Sequence, residues 1–575
     1  MTRLVIASRH KEAAEVGGSV RKMLSKLLMG NSLSRPRFSF CWINPLMPKG
    51  CELIDEYGIG DAKAKILSVP GGVRAFYHLS PWEYSLPLPI IGAIRATIDR
   101  LSEIPPANIS ASYEGLRDHV YQTCPGILSE EMMRRGLPVG SSTATITEDK
   151  LVEVVVRYTV GLGVFEILLS DDKIEDIYVD APSDENPVHL TVNGVAGFNT
   201  VFRCSTNITA SREEIVGLTS RLRQYSKLPF SEAFPTMETD VQGFDARATV
   251  MGAPLSPMGT AVALRRHSAT PWTLLKLAYN GTISPFAAGL LSFLVDGRST
   301  ILICGPRGAG KSALLSALLF EFPISQRILT IEDTAELPIR QMQRLGYKVQ
   351  SMLVEPGLGE GREEKTDEAL RISLRLGESA IVLGEVRGKE AQTLYQSMRT
   401  GKAGSSVIGT IHGDTARSVY ERVVHDMGIP KEAFGATDIV LSMSLNRPKG
   451  THRQVRRLVE VVECSNEGPG EFSPLMSFDF SRGRLSNNLL GRSKVIGRIA
   501  TAWNMKYNEA LRNIGARAEM RAALVDAARN GNEAFLGPEW VCRANEFLWQ
   551  RLDAGITDYR QVSTDFQAML ARGRV

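Results

Sequence analysis

Apolar residues recur along this chain in several rhythms, and the changes of rhythm divide it. Cys41–Leu46 and Arg74–Leu79 read as short strands among turns. The proline-spaced run Leu86–Ile91 leads into the helical spacing of Ile91–Leu101, and residues 101–150 read as helical and then loop-like around Gly136–Thr145. Leu151 to Gly161 has the spacing of an amphipathic helix, and Ile167–Val179 predicts a helix followed by a strand. His189–Val192, followed by Asn193-Gly194, predicts a hairpin closed by a type I′ turn. Ser211–Tyr225 predicts a helix, and Ala246–Val250 and Ala261–Arg265 predict strands.

From about residue 280 the pattern changes to continuous apolar strands separated by helices. The strands are Thr300–Cys304, Ile328–Ile331, Ala380–Leu383, Ser406–Ile411 and Ile439–Ser444. Such alternation predicts an α/β unit with a parallel or mixed sheet. After Glu460 come a Gly/Pro-containing loop, a short β-like stretch, and helices from about 492 to 573; one of these, Glu519–Ala528, carries an apolar face expected to pack on the core. The expected organisation is a basic arm (1–37), an accessory α+β domain (38–145), a smaller α+β lobe (146–270), an α/β core (271–460) and a mostly helical extension (461–575).

Composition narrows the classes. With 575 residues, 43% hydrophobic and 23% charged, the chain has material for several globular cores and is neither fibrous nor globally disordered. The formal charge of +4 is too small for nucleic-acid binding over the whole surface. It is unevenly placed: residues 1–40 hold Arg3, Arg9, Lys11, Arg21, Lys22, Lys26, Arg35 and Arg37 against Glu12 and Glu15. That arm can sit on anionic lipid or remain a solvated tail. Seven scattered cysteines without a C-x-x-C predict reduced thiols and no compact four-cysteine zinc site. The most apolar stretch, Phe286–Cys304, is interrupted by Asp296, Gly297 and Arg298, so it reads as helix, turn and strand, not as a membrane span of ~18–20 residues. With no signal-peptide pattern, the expected location is cytoplasmic, with any membrane role peripheral.

The candidate chemistry begins at Gly305-Pro306-Arg307-Gly308-Ala309-Gly310-Lys311-Ser312, which satisfies G-x-x-x-x-G-K-[ST]. It follows the strand ending at Cys304 and precedes a helical run from Ala313, the order a phosphate-binding loop requires. Glycines let backbone N–H groups close around an anion, and the helix N-terminus adds its dipole. Lys311 is then expected on the β- and γ-phosphates and Ser312 on Mg²⁺, which makes ATP and Mg²⁺ the expected ligands. The strand Ser379–Arg387 ends in Gly384-Glu385, where a Walker B sequence usually has an aspartate; Glu385 is the candidate acid for metal-bound water. Ile328–Leu337 ends a strand in Glu332-Asp333-Thr334, with Glu336 following, and paired acids there lie on the ligand edge of an α/β sheet. Asp333 or Thr334 could equally be a helix N-cap. His412 closes the strand of Gly404–Asp414 and can reach the same edge, or be a structural histidine.

In this fixed order the four elements, GPRGAGKS, ILTIEDTAEL, VLGEVRG and VIGTIHG, resemble the secretion-superfamily ATPases of type II secretion, type IV pili, archaella and conjugative type IV secretion. The likeness runs from about 150 to 460, and residues 371–388, 397–404 and the stretch around Tyr77–Pro81 look most like the archaeal branch. The resemblance implies a homohexameric motor with a PAS-like N-terminal lobe before a RecA-like P-loop ATPase core, and ATP between the lobes. It implies roles for Arg247 and Arg265, with Arg266 less well matched, as lobe arginines near the phosphates. It matches Glu332 and Asp333 to the aspartate box, Glu385 to the Walker B glutamate as water activator or metal ligand, and His412 to a γ-phosphate sensor. Arg387 and Arg399 match basic positions that can tie subunits together, or form ordinary salt bridges. Arg307 and the Ser312-Ala313 pair depart from the usual loop, and the tetracysteine insertion of many bacterial type II relatives is absent. The implied partners are a polytopic inner-membrane platform protein and, indirectly, pilin-like or archaellin-like subunits, with an anionic membrane surface reached through residues 1–37 and no specific nucleic acid. Two further readings are a conjugative, DNA-handling ATPase and a nucleotide-binding scaffold without turnover.

Overall fold

The computed structural model describes residues 35–70, 75–104, 112–137, 146–195, 200–266, 270–354, 362–377, 379–388, 390–399, 406–450, 454–464, 471–488 and 490–571. The basic arm up to residue 34, the loop 138–145 and the stretch 400–405 lie outside the described residues. The chain forms two compact units that meet in sequence at residue 270.

In the first unit, β1 (Cys41–Ile43) and β8 (Ile208–Ala210) form an antiparallel pair. The other strands are β2 (Glu52–Ile59), β3 (Ala62–Ser68), β4 (Ala75–Ser80), β5 (Ile174–Val179), β6 (His189–Val192), β7 (Thr200–Thr206), β9 (Thr236–Asp240), β10 (Ala246–Met251) and β11 (Ala261–Arg266). They make one sheet, in the order β2-β3-β4-β7-β6-β5-β11-β10-β9, in which only β4 and β7 run parallel. Strands on both sides of residue 146 therefore share one sheet. Helices start where sequence chemistry allows: the Ser211 and Thr147 hydroxyls accept from Glu214 N and Lys150 N, opening the helices Arg212–Ser226 and Glu148–Thr159. The hairpin expected at Asn193-Gly194 is present but not with a two-residue turn. Val192 pairs with Phe202, so a longer connection intervenes, and Asn193 instead binds Lys173 O and Glu175.

The second unit is built on β12 (Ile301–Cys304), β13 (Arg327–Glu332), β14 (Lys348–Leu353), β15 (Ala380–Val386), β16 (Val407–Ile411), β17 (Ile439–Asn446), β18 (Gln454–Cys464), β19 (Phe472–Asp479) and β20 (Arg484–Asn487). The order is β14-β13-β15-β16-β12-β17-β18-β19-β20. The strands from β14 to β17 are parallel and the last three antiparallel, so the sheet is mixed. β12 is buried along its whole length, as a central parallel strand covered on both faces must be. The position expected to end the core, residue 460, falls inside β18.

The C-terminal helices Lys494–Ala502, Tyr507–Arg529, Pro538–Asp553 and Tyr559–Ala571 contribute Ile499, Leu524, Leu548 and Phe566 to the hydrophobic core that also holds the loop helix Lys311–Leu319. Two fully buried arginines accompany them. Arg517 pairs with Asp296 and donates to Ser292 (2.9 Å) and Asn513 (2.8 Å). Arg521 pairs with Glu321, just beyond the end of the loop helix, and donates to Ser292 (2.6 Å) and Asn545 (2.9 Å). Burial pulls the Arg521 guanidinium below its ordinary pKa, and Glu321 opposes this. No helix among the described residues is long and apolar enough to cross a membrane.

Candidate nucleotide site

The site grows from the end of β12. Cys304 is partnered by Ile411 of β16 and Ser442 of β17, and beyond it the chain turns into the loop 305–310. Gly305 has φ +151°, and a Cβ there would lie 2.5 Å from Met443 O, so only glycine lets the loop leave against β17. Gly308 and Gly310 also take positive φ. Pro306, Arg307 and Gly308 are exposed and Ala309 is buried beneath them. The helix Lys311–Leu319 begins directly at the loop, with Ser312 exposed in its first turn and Ala313 beside it half-buried. The Lys311 ammonium donates to the carbonyls of Gly305 (2.9 Å) and Pro306 (3.2 Å), and partial burial lowers its pKa.

β13 and β15 are parallel neighbours, which brings two of the sequence motifs together. Glu332, the last residue of β13, is 3% exposed. Its Oε1 accepts from the backbone N–H of Glu336 (2.9 Å) and Leu337 (3.0 Å), while Oε2 is buried without a hydrogen-bond partner. Burial pushes its carboxyl up to about 7, against the opposing pull of those two N–H groups. A Cβ on Gly384 would stand 3.4 Å from Glu332 Cγ, about ordinary van der Waals contact, so this strand end lies close against Glu332.

A register shift between Leu383 and Val386 marks a bulge in β15 beside β16. Bulges re-aim side chains. Here the Gly384 carbonyl is taken by the Thr410 hydroxyl (2.5 Å), and Glu385 Oε1 lies 2.9 Å from His412 Nε2. A carboxylate only accepts, so Nε2 carries the hydrogen. Burial and the Lys311 charge lower the His412 pKa, favouring the neutral ring. Glu385 Oε2 binds Arg387 (2.5 Å), whose other arm holds Asp333 (2.9 Å). One chain of contacts, Asp333–Arg387–Glu385–His412, thus links three motifs at the edge where β12 ends in the loop.

The sequence did not single out Arg456, whose Nε donates to Gly308 O at 2.8 Å. No motif flagged it, because the contact depends on β17 and β18 forming a hairpin. Arg247 and Arg265 lie in the first unit, as cross-strand partners in β10 and β11. Asp240 and Asp176 continue that row on β9 and β5. Arg247 pairs with Glu238 (2.6 Å) and Arg265 with Asp176 (3.2 Å), which offsets the repulsion of two adjacent cations. Arg266 pairs with Asp172 and donates to Leu169 O (2.8 Å). Arg399 ends the helix Glu390–Arg399 and borders a groove with Pro430 and Gln396.

A glycine cradle, a lysine and a hydroxyl at a helix N-terminus, and convergent acids at the strand ends define a P-loop nucleotide-binding unit on an α/β sheet. Residues 159–470 match the family model described as Type II/IV secretion system protein, and the chain belongs to that family of secretion ATPases. Among relatives, a Mycobacterium tuberculosis protein named for conjugal transfer is 32% identical over 281 residues, covering 48% of this chain and 73% of the relative. An uncharacterized protein of Methanocaldococcus jannaschii is 27% identical over 319 residues, 55% of this chain and 54% of the relative. The type IV secretion system protein VirB11 of Bartonella henselae is 25% identical over 325 residues, 51% of this chain and 85% of the relative.

Proposed function

We propose that this chain is a ring-forming ATPase motor whose hydrolysis of ATP drives filament assembly or protein secretion through a membrane platform protein. The observation that carries the reading is the contact chain from Asp333 to His412 beside the loop, because such a chain passes a change at one motif to the next. The fit to a nucleotide is supported by the glycine cradle and by the unpartnered Glu332 Oε2.

In this reading the N–H groups of residues 308–313 and the Lys311 ammonium hold the phosphates, and the Ser312 hydroxyl and Glu385 hold Mg²⁺. When bound, Mg²⁺ offsets phosphate charge. The two glutamates divide the remaining work. Glu385 is held on both oxygens by Arg387 and His412, which suits it to orienting. Glu332 has a free oxygen and a pKa near 7, which suits it to taking a proton from water at Oε2. Arg247 and Arg265 are assigned to the phosphates as fixed cations and Arg399 to contact with a neighbouring subunit, whereas Arg387 serves as the salt bridge between Asp333 and Glu385. The assigned organisation has 38–145 and 146–270 act together as one lobe before the core, whose sheet continues through β18, with the helices from Lys494 as an extension. The proposed ring is a homohexamer at the cytoplasmic face of the membrane. Its platform partner is polytopic, its cargo pilin-like or archaellin-like, and residues 1–37 contact anionic lipid.

The test is magnesium-dependent phosphate release by the wild type and Glu385→Gln, with size analysis with and without a non-hydrolysable ATP analogue. Slow turnover lost in the variant, with hexamers favoured by nucleotide, is expected. A folded ring with no turnover, even with membranes and platform protein present, refutes the motor and favours the scaffold. The relative named for conjugal transfer and the VirB11 relatives favour a second reading, a conjugative type IV secretion ATPase; it predicts that single-stranded DNA or a conjugative membrane complex, not a pilin platform, stimulates turnover.

A further inference from the structure

Ser442 is the partner of Cys304, the last residue of β12, but β17 continues to Asn446 and its antiparallel neighbour β18 runs alongside. The β17–β18 pair therefore extends past the point where β12 becomes the phosphate loop, and forms a wall beside that loop. A register shift between Ser442 and Met443 leaves Val459 of β18 without a partner, so Met443 faces Leu458 and Leu445 faces Arg456. Side chains alternate across a strand, so a one-residue shift decides which of them lie on the loop side. Arg457 stacks on Phe478, 4.7 Å from the ring centroid, whereas Arg456 turns to the loop.

A hydrogen bond holds Arg456 there: its Nε donates to Gly308 O at 2.8 Å, and its Cδ runs beside Gly310, 3.6 Å from the point a Cβ on that glycine would occupy. Among the described residues the loop is also held through its own backbone and Lys311, by Ala309 N donating to Pro306 O (3.2 Å) and the ammonium contacts to Gly305 and Pro306. Lys311 is also the group expected to leave those carbonyls for phosphate, whereas Arg456 comes from a different strand and holds a different carbonyl. A peptide plane is rigid, so fixing the Gly308 carbonyl fixes the direction of the Ala309 N–H on the other side of that plane.

We propose that Arg456 is a nucleotide-positioning residue. From β18 it clamps the apex of the phosphate loop at Gly308 and sets a permanent cation against the anion cradle, so that the loop keeps its shape when Lys311 moves to phosphate. The proposal rests on the nucleotide-binding reading above. The bond is charge-assisted, and losing it leaves nucleotide to order the loop apex, at a cost of about tenfold in affinity.

The experiment uses the full chain with Arg456→Gln, Arg456→Lys and the control Lys311→Ala. It measures the Kd of a fluorescent Mg-ADP, the split between KM and kcat for ATP, the melting temperature, and amide hydrogen exchange of the peptide spanning 305–312 without nucleotide. Arg456→Gln is expected to weaken Kd and raise KM at least about tenfold at nearly unchanged melting temperature, and to speed exchange of the loop. Arg456→Lys is expected to recover part of the affinity, since it returns the charge but not the planar Nε–H. Wild-type affinity with wild-type loop exchange in Arg456→Gln overturns the proposal. So does loss of the fold, which would make the residue part of the core. If the wild type binds no nucleotide, the ATPase reading fails, and unchanged loop exchange alone then decides against the clamp.

Discussion

Glu332→Gln separates stability from chemistry. The substitution keeps shape and leaves an oxygen to accept from the N–H groups of Glu336 and Leu337. What it removes is a charge that burial disfavours. In the folded chain the Glu332 carboxyl titrates at about 7 rather than 4.5. Because the folded value is the higher one, this group's stabilising contribution is fully present below 4.5 and is lost as pH rises through about 7. Integrating the linkage relation between about pH 5.5 and about pH 8.5 gives a loss of about 2 kcal/mol in the wild type. Glutamine does not titrate and loses nothing. The variant should therefore gain about 2 kcal/mol on the wild type over that range, whatever constant offset its amide introduces. At ~2.1 cal/mol/K of unfolding entropy per residue, the unit Thr270–Val575 shifts about 1.5 °C per kcal/mol, so the difference in melting temperature should move by about 3 °C. The assay is parallel melting of both proteins across pH, with phosphate release measured on the same samples. Turnover should fall by about 10²–10⁴ in the variant and, in the wild type, should rise with pH through about 7. Melting profiles that run parallel across pH refute the argument from burial; undiminished turnover refutes the assignment of Glu332 as the base.

Three other outcomes follow from the same geometry. Gly305→Ala places a Cβ 2.5 Å from Met443 O, and should abolish nucleotide binding by fluorescence titration; retained binding would show that the loop adjusts. His412→Gln is expected to leave Mg-ATP affinity within about threefold while lowering kcat about tenfold or more, because Glu385 loses its orienting partner; a KM effect alone would place His412 in binding. Arg521→Met leaves Glu321 buried and unpaired and should destabilise the second unit by about 3–5 kcal/mol, and adding Glu321→Gln should restore much of it. A double variant no better than the single, in urea titration, would show that Arg521 acts through packing.

The parts of this fold that declare themselves locally are those that were legible. Apolar runs such as Ile301–Cys304 are long enough and continuous enough to mark buried strands, and the glycine spacing after them needs no tertiary knowledge. Terminal caps such as Ser211 are equally local. What was not legible depends on pairing. β14 (KVQSML) alternates weakly at a sheet edge and carries no distinctive pattern. β18 is half polar over its first residues because those line the loop and Phe478, not a uniform core. Asn193-Gly194 carries the strongest short-range hairpin signal, yet the pairing of Val192 with Phe202 overrides it. In the site, the candidate acids and His412 were visible as strand ends. Their linkage through Arg387, the bulge that turns Glu385 toward His412, and the reach of Arg456 are properties of neighbouring strands that one strand's sequence does not encode.

The buried arginines have a consequence for anyone building hybrids within this family. A graft that takes residues up to about 460 from this chain and the remainder from a relative imports Asp296 and Glu321 without their guanidinium partners, unless the donor has cations at the places of Arg517 and Arg521. Glu321 would then sit fully buried without a cation just past the end of the helix that starts at Lys311, and the half-buried Asp296, which ends the helix Pro285–Asp296, would lose its partner too. The natural seam for exchange is near residue 270, where the two units meet in sequence, and the helices that close the chain should travel with the nucleotide unit as a single heritable part.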